Sequence, residues 1–143
     1  MVAATPTLRT DAFIDGTFRP AASGARFATE NPATGQQLAE IAAGDIEDID
    51  IAVRAARRAF DAGVWSKRSP TERKQVLLRF AGLLEANLEE LAQLESLDAG
   101  KPITDCLEVD IPETVRTFRW YAEALDKFFD AVEIGRASCR ERG

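Results

Sequence analysis

At Asp45 the spacing of apolar side chains changes from a period of about two to one of about 3.6, and that switch sets what the chain can build. Upstream, Ala12-Phe-Ile-Asp-Gly-Thr-Phe-Arg19 sets Asp15-Gly16 between two short apolar runs. Both residues of that pair tolerate positive φ, as a type I′ turn requires, so the spacing predicts a β-hairpin. Arg26-Phe-Ala-Thr-Glu30 and Gln37-Leu-Ala-Glu-Ile41 flank Asn31-Pro-Ala-Thr-Gly35, a run of turn formers, and predict a second hairpin.

Downstream the pattern is helical. Asp45 can cap a helix with Ile49, Ala52, Val53, Ala56, Ala59 and Phe60 on its apolar face, and Gly63 can end it. Ser69-Pro-Thr-Glu72 is a capping box with proline at the first helical position, opening a helix that carries Val76, Leu77, Phe80, Leu83 and Leu84. Asn87 offers a further cap, and Leu91, Leu94 and Leu97 continue until Gly100 and Pro102. A last helix is expected over about residues 104–129, kinked or restarted near Asp110 because Pro112 lacks a backbone donor. These elements supply apolar helix faces but no central strands for them to cover, so part of a larger domain is expected to be missing.

Composition narrows the chemistry. The chain has no histidine, which removes Ser-His and Cys-His nucleophile pairs and the usual Cys/His zinc sites. Two cysteines, Cys106 and Cys139, are too few for a disulfide framework and point to a reducing cytoplasm. The net charge of −6 carries no basic stripe, arguing against nucleic acid. No apolar run is long enough for a membrane span, and residues 1–11 read as a loose, disordered start without a signal peptide. The glycines form no G-x-G-x-x-G loop. Cys106 sits between Asp105 and Glu108 with no base beside it, and is read as a buried helical thiol and not a nucleophile. Lys101 and Arg119 read as surface charges, and Trp65, Trp120 and Tyr121 as core or interface packing.

Six stretches in order carry a resemblance: Phe13-Ile-Asp-Gly16; Phe27-Ala-Thr-Glu-Asn-Pro-Ala-Thr-Gly35; Asp48-Ile-Asp-Ile-Ala-Val-Arg-Ala-Ala-Arg-Arg-Ala-Phe60; Trp65 with Ser69–Arg73 and Leu77; Leu94-Glu-Ser-Leu-Asp-Ala-Gly-Lys-Pro102; and Arg119-Trp-Tyr-Ala-Glu-Ala-Leu-Asp-Lys127. Together they resemble the aldehyde dehydrogenase superfamily. Asp110-Ile-Pro112 with Arg119-Trp-Tyr121 resembles members acting on γ-aminobutyraldehyde-type substrates, including γ-glutamyl-aminobutyraldehyde. The resemblance implies an α/β fold, of which residues 12–133 would be the N-terminal part: β-hairpins, then about four helices flanking an absent Rossmann-type sheet. It implies an NAD(P)-dependent oxidation of an aldehyde to a carboxylic acid by a cysteine thiolate, with an oxyanion hole and a glutamate that activates water.

In the family those catalytic groups and the nucleotide-binding loop lie C-terminal to the stretch matched here. The chain is therefore expected to be a truncated, inactive piece that binds neither NAD nor NADP, from a cytoplasmic homo-oligomeric parent. Some relatives hold a monovalent cation through main-chain oxygens and an aspartate, and the matching positions are Thr29, Glu30 and Asp98; a hard cation prefers such oxygen ligands. Residues 134–143, Ile-Gly-Arg-Ala-Ser-Cys-Arg-Glu-Arg-Gly, look like a translated sequencing adaptor and are set apart from the fold. The competing expectation is a stand-alone, non-catalytic helical module that binds a partner protein through exposed apolar faces.

Overall fold

The computed structural model describes residues 6–127. The 134–143 stretch, residues 1–5 and the end of the expected last helix lie outside the described residues. Strands β1 (Ala12–Ile14) and β2 (Thr17–Arg19) pair antiparallel with Ile14 opposite Thr17. Asp15 and Gly16 take φ of 54° and 79°, the mirror-image turn expected of that pair. Strands β3 (Arg26–Glu30) and β4 (Gln37–Ala42) form a second antiparallel hairpin, with a register shift at Thr29/Glu30. The two hairpins are separate two-stranded sheets. Residues just before β1 are tied to the second: the Ala42 amide donates to the Thr10 carbonyl at 2.8 Å, and the Arg26 guanidinium reaches Asp11, Thr10 and the Glu40 carbonyl.

Helices α1 (Ile46–Ala62) and α2 (Pro70–Ala86) start at the expected caps. Asp45 accepts from the Glu47 amide, and Ser69 and Glu72 complete their box, with the Ser69 amide donating to the Glu72 carboxylate at 2.9 Å. That bonding holds the Glu72 carboxyl below its ordinary value, the Ser69 hydroxyl being the larger cause. A carboxyl lowered in the folded state stabilises above its unfolded pKa and loses that contribution as pH falls through the folded value. Ser69→Ala is therefore expected to lower stability at neutral pH and to flatten the loss on acidification, read by thermal melts across the acid range. Equal acid slopes in both proteins would remove the box from the account.

Helix α3 (Leu88–Ala99) departs from expectation at its start. The Asn87 side chain makes no cap bond to α3; its amide donates instead to the Leu83 carbonyl at 2.8 Å and closes the end of α2. With a single residue between the two helices, that side chain can serve either end, and the free carbonyl of α2 takes it. The last helical run is interrupted as Pro112 requires. A short turn α4 (Ile103–Asp105) leads into a π-helical turn (Cys106–Asp110), where the Ile111 amide bonds the Cys106 carbonyl, before α5 (Ile111–Ala124). Widening the ladder by one residue is a recognised way for a helix to absorb an irregularity of this kind.

The main helix–helix contact is α2 against α5, with Phe80 and Phe118 edge to face at 4.9 Å and Lys74 bridging to Glu123 and Asp126. The buried set is small: Ala21, Ala55, Ala81, Ala92, Cys106, Val115 and Ala122. Large apolar side chains stay outside it. Ile49, Val53 and Phe60 of α1, read above as its apolar face, are exposed, and so are Trp65, Trp120 and Tyr121, so of the core-or-interface reading of these aromatics only the core half is corrected. Periodicity correctly located one apolar face on α1, but among the described residues nothing covers it. Among the described residues the one charged residue in the interior is Asp48, 5% exposed.

Candidate functional site

The segment Thr7–Thr10, the β3–β4 hairpin and α3 enclose a cleft of about 410 Å³. Its walls are apolar, with Leu38 and Ile41 from β4 and Leu91 and Leu94 from α3. Thr29 and Asp98 both line it. Glu30, beyond the register shift, is exposed and does not. Two of the three residues proposed for a cation thus come together. Among the described residues no group of three or more acidic, cysteine or histidine side chains is arranged for a metal ion. A cation here would have to rely on the Asp98 carboxylate and on threonine or main-chain oxygens, a donor set suited to a hard, weakly bound ion.

The geometry beside this cleft explains why two of the sequence stretches belong together. Asn31 folds its turn locally: its side-chain oxygen accepts from the Ala33 amide at 2.9 Å, and its carbonyl accepts from Gly35 at 2.7 Å. Pro32 then packs directly on Gly100, the left-handed residue that ends α3. A Cβ at position 100 would lie 2.8 Å from the Pro32 ring and 3.2 Å from the Ala33 nitrogen. Beyond Gly100, the Lys101 carbonyl accepts from Ser96 at 2.7 Å, and the Lys101 ammonium binds the Asp110 carboxylate at 2.6 Å and 2.7 Å. That pair raises the Lys101 ammonium above its ordinary value. Lys101 and Arg119, read as surface charges, are accordingly half of an ion pair each, Arg119 with Glu85 at 2.5 Å.

Cys106 is fully buried under this loop. Burial pushes its thiol up, and the Asp110 carboxylate adds to the effect, with Lys101 partly offsetting it. A nucleophilic cysteine needs the opposite, a lowered pKa and access. In a Cys139→Ser background, Cys106 is expected to resist a thiol reagent until the chain is unfolded with denaturant. Rapid labelling of the native chain would contradict that burial.

The described strands form only antiparallel hairpins, with no parallel strand–loop–helix unit and no glycine loop to cradle a pyrophosphate. Two hairpins feeding helices whose apolar faces stand open are one flank of a larger α/β domain. Comparison with known proteins agrees: the aldehyde dehydrogenase family profile matches residues 18–140, reaching into the 134–143 stretch. The chain belongs to the aldehyde dehydrogenase family.

It is 56% identical to aminoacetaldehyde dehydrogenase of Pseudomonas aeruginosa over 138 residues, which cover 96% of this chain and 28% of that protein. It is 51% identical to the NADP/NAD-dependent aldehyde dehydrogenase PuuC of Escherichia coli, over 84% of the chain and 24% of the relative. Among solved structures, γ-glutamyl-γ-aminobutyraldehyde dehydrogenase from Burkholderia cenocepacia superposes with a TM-score of 0.81 at 48% identity, covering 85% of this chain and 25% of that one. The chain spans about a quarter of the length of these relatives, their N-terminal part.

Proposed function

We propose that this chain is the N-terminal part of an NAD(P)-dependent dehydrogenase that oxidises an aldehyde bearing an amino or amide group to its carboxylic acid. The observation that carries the reading is the 56% identity to an aminoacetaldehyde dehydrogenase across nearly the whole chain. The resemblance of the Asp110–Pro112 and Arg119–Tyr121 stretches to γ-aminobutyraldehyde-type enzymes supports the same substrate class. In the parent, the nucleophilic cysteine, the water-activating glutamate and the dinucleotide loop belong to the polypeptide that follows the matched quarter. NAD or NADP supplies the hydride acceptor there, and the present residues contribute one flank of the domain. The reading extends to a cytoplasmic homo-oligomer, and to a monovalent cation held beside Thr29 and Asp98, with Glu30 contributing at most through its main chain.

The test has two arms. The chain alone, mixed with NAD or NADP and aminoacetaldehyde or γ-glutamyl-aminobutyraldehyde, is expected to form no reduced cofactor. The enzyme translated from the complete reading frame at the source locus is expected to oxidise those substrates with a higher kcat/KM than an unsubstituted aliphatic aldehyde of equal length. Turnover by the chain alone would refute the division of labour. Preference of the complete enzyme for the plain aldehyde would refute the substrate class.

A further inference from the structure

Asp15 is the one aspartate of this chain followed by glycine. The bond between them lies in the turn of the first hairpin, where both residues hold positive φ and are exposed. Nothing stands within 4 Å of the space a Gly16 side chain would fill. In such a pair the amide nitrogen of the second residue is one bond rotation from the carboxyl carbon of the first. A side chain at the second position would hinder that approach, and glycine has none. Asp48 and Asp50, by contrast, precede isoleucine inside α1, where the next nitrogen is held in the helical ladder.

The reaction open to this pair needs only water. The Gly16 nitrogen bonds to Cγ of Asp15 and a Cγ–O bond breaks; the oxygen leaves as water, carrying the amide proton and one proton from solvent. The five-membered imide then takes up water. Opening at Cγ returns aspartate. Opening at the main-chain carbonyl breaks its bond to the Gly16 nitrogen and leaves the backbone running through Cβ and Cγ, one atom longer, with a free α-carboxylate. Nothing is oxidised or reduced. Two features set the rate. In a type I′ turn the first central residue has ψ near about 30°, which keeps the nitrogen away from Cγ, so the ring closes only when the hairpin opens. That hairpin is small: β1 and β2 have three residues each and form a sheet of two strands, a unit of little stability on its own. The second feature is Arg58, whose guanidinium reaches from α1 to Oδ2 of Asp15 at 2.9 Å and ties the turn to the helix.

We propose that Asp15–Gly16 is a site of spontaneous isomerisation to isoaspartate, gated by opening of the first hairpin and slowed by Arg58. The product cannot re-form the two-residue turn, because its backbone carries one atom too many. The event therefore unfastens β1 from β2 permanently and parts Phe13 from Phe18, whose rings lie 5.0 Å apart in the closed hairpin. The Arg58–Asp15 pair is exposed, so its removal should speed the reaction by about two- to fivefold and no more.

Peptide mapping of the full chain, held at physiological temperature and neutral pH, tests this, with circular dichroism to verify that each variant retains its helices. Trypsin releases residues 10–26 as one peptide, because Pro20 blocks cleavage after Arg19, and the isoaspartyl form separates by chromatography at unchanged mass. A synthetic peptide of residues 10–26 is the unfolded reference. The chain is expected to accumulate isoaspartate at Asp15 ahead of every other aspartate, and more slowly than the peptide does. Arg58→Ala should speed the reaction, Arg58→Lys should stay closer to wild type because it keeps a cation, and Arg57→Ala should leave the rate unchanged. A chain still free of isoaspartate at Asp15 when the peptide has fully converted would overturn the proposal. So would an Arg58→Ala chain that reacts at the wild-type rate, or a wild-type chain as fast as the peptide, since neither the ion pair nor the hairpin would then control the reaction.

Discussion

Replacing Asp48 with alanine is expected to lower the stability of the chain by about 3 kcal/mol and its melting temperature by roughly 10 °C. Asp48 is the third residue of α1, and its carboxylate accepts from two backbone amides. The Asp45 amide donates to Oδ2 at 3.2 Å, completing the capping box, and the Ala22 amide donates across both oxygens at 3.0 Å and 3.1 Å. One side chain therefore closes the start of α1 and anchors the loop that follows β2. Hydrogen bonds to a charged acceptor contribute about 1.5–3 kcal/mol, and a buried amide left without a partner costs about as much. Alanine removes the acceptor for both donors at once. Asparagine keeps the shape and one acceptor oxygen, so Asp48→Asn should lose clearly less. Urea unfolding of the three proteins reads the difference, and an alanine variant within about 0.5 kcal/mol of wild type would show that the loop is held by something else.

Gly100→Ala is expected to cost about 2–4 kcal/mol. Gly100 ends α3 at φ 68°, where an L side chain is penalised by about 1–2 kcal/mol. The new methyl group would also press on Pro32 at 2.8 Å, a rigid ring whose neighbour at 3.2 Å is backbone, and overpacking of that kind adds about 1–3 kcal/mol. Gly63→Ala is the matched control. Its φ is 69°, yet the atoms a Cβ would meet belong to the flexible Lys67 side chain, which can swing away. Its cost should therefore stay near the backbone penalty alone. Equal losses at the two positions would mean that the Pro32–Gly100 contact contributes nothing. A larger loss at position 100 would show that the turn after β3 and the end of α3 are locked together by shape.

Much of the architecture was legible in the chain because it rests on interactions between near neighbours. Asp15-Gly16 makes its turn from its own φ preferences, Ser69 and Glu72 close a box three residues apart, and Pro112 forces an irregular ladder wherever its helix packs. Cys106 also read correctly as a buried thiol, since it stands between Asp105 and Glu108 with no base beside it, and burial with Asp110 outweighs the opposing Lys101 charge. Of the three positions the family resemblance marked, Thr29 and Asp98 line one cleft, and the register shift at Thr29/Glu30 leaves Glu30 outside the lining.

What tertiary structure decided was which partner a side chain takes when several are available. Asp48 reads from sequence as one more acidic residue in a first helical turn, and only the return of the chain at Ala22 makes it a buried anchor. Asn87 could cap either neighbouring helix, and the open carbonyl of α2 claimed it. Pro32 and Gly100 each suit a turn on their own, and their contact exists because the second hairpin lies across the end of α3. Helical periodicity, finally, can say that Ile49, Val53 and Phe60 share a face, because that follows from 3.6 residues per turn. Whether the face is covered depends on what else packs there, a property of distant chain that no local spacing contains.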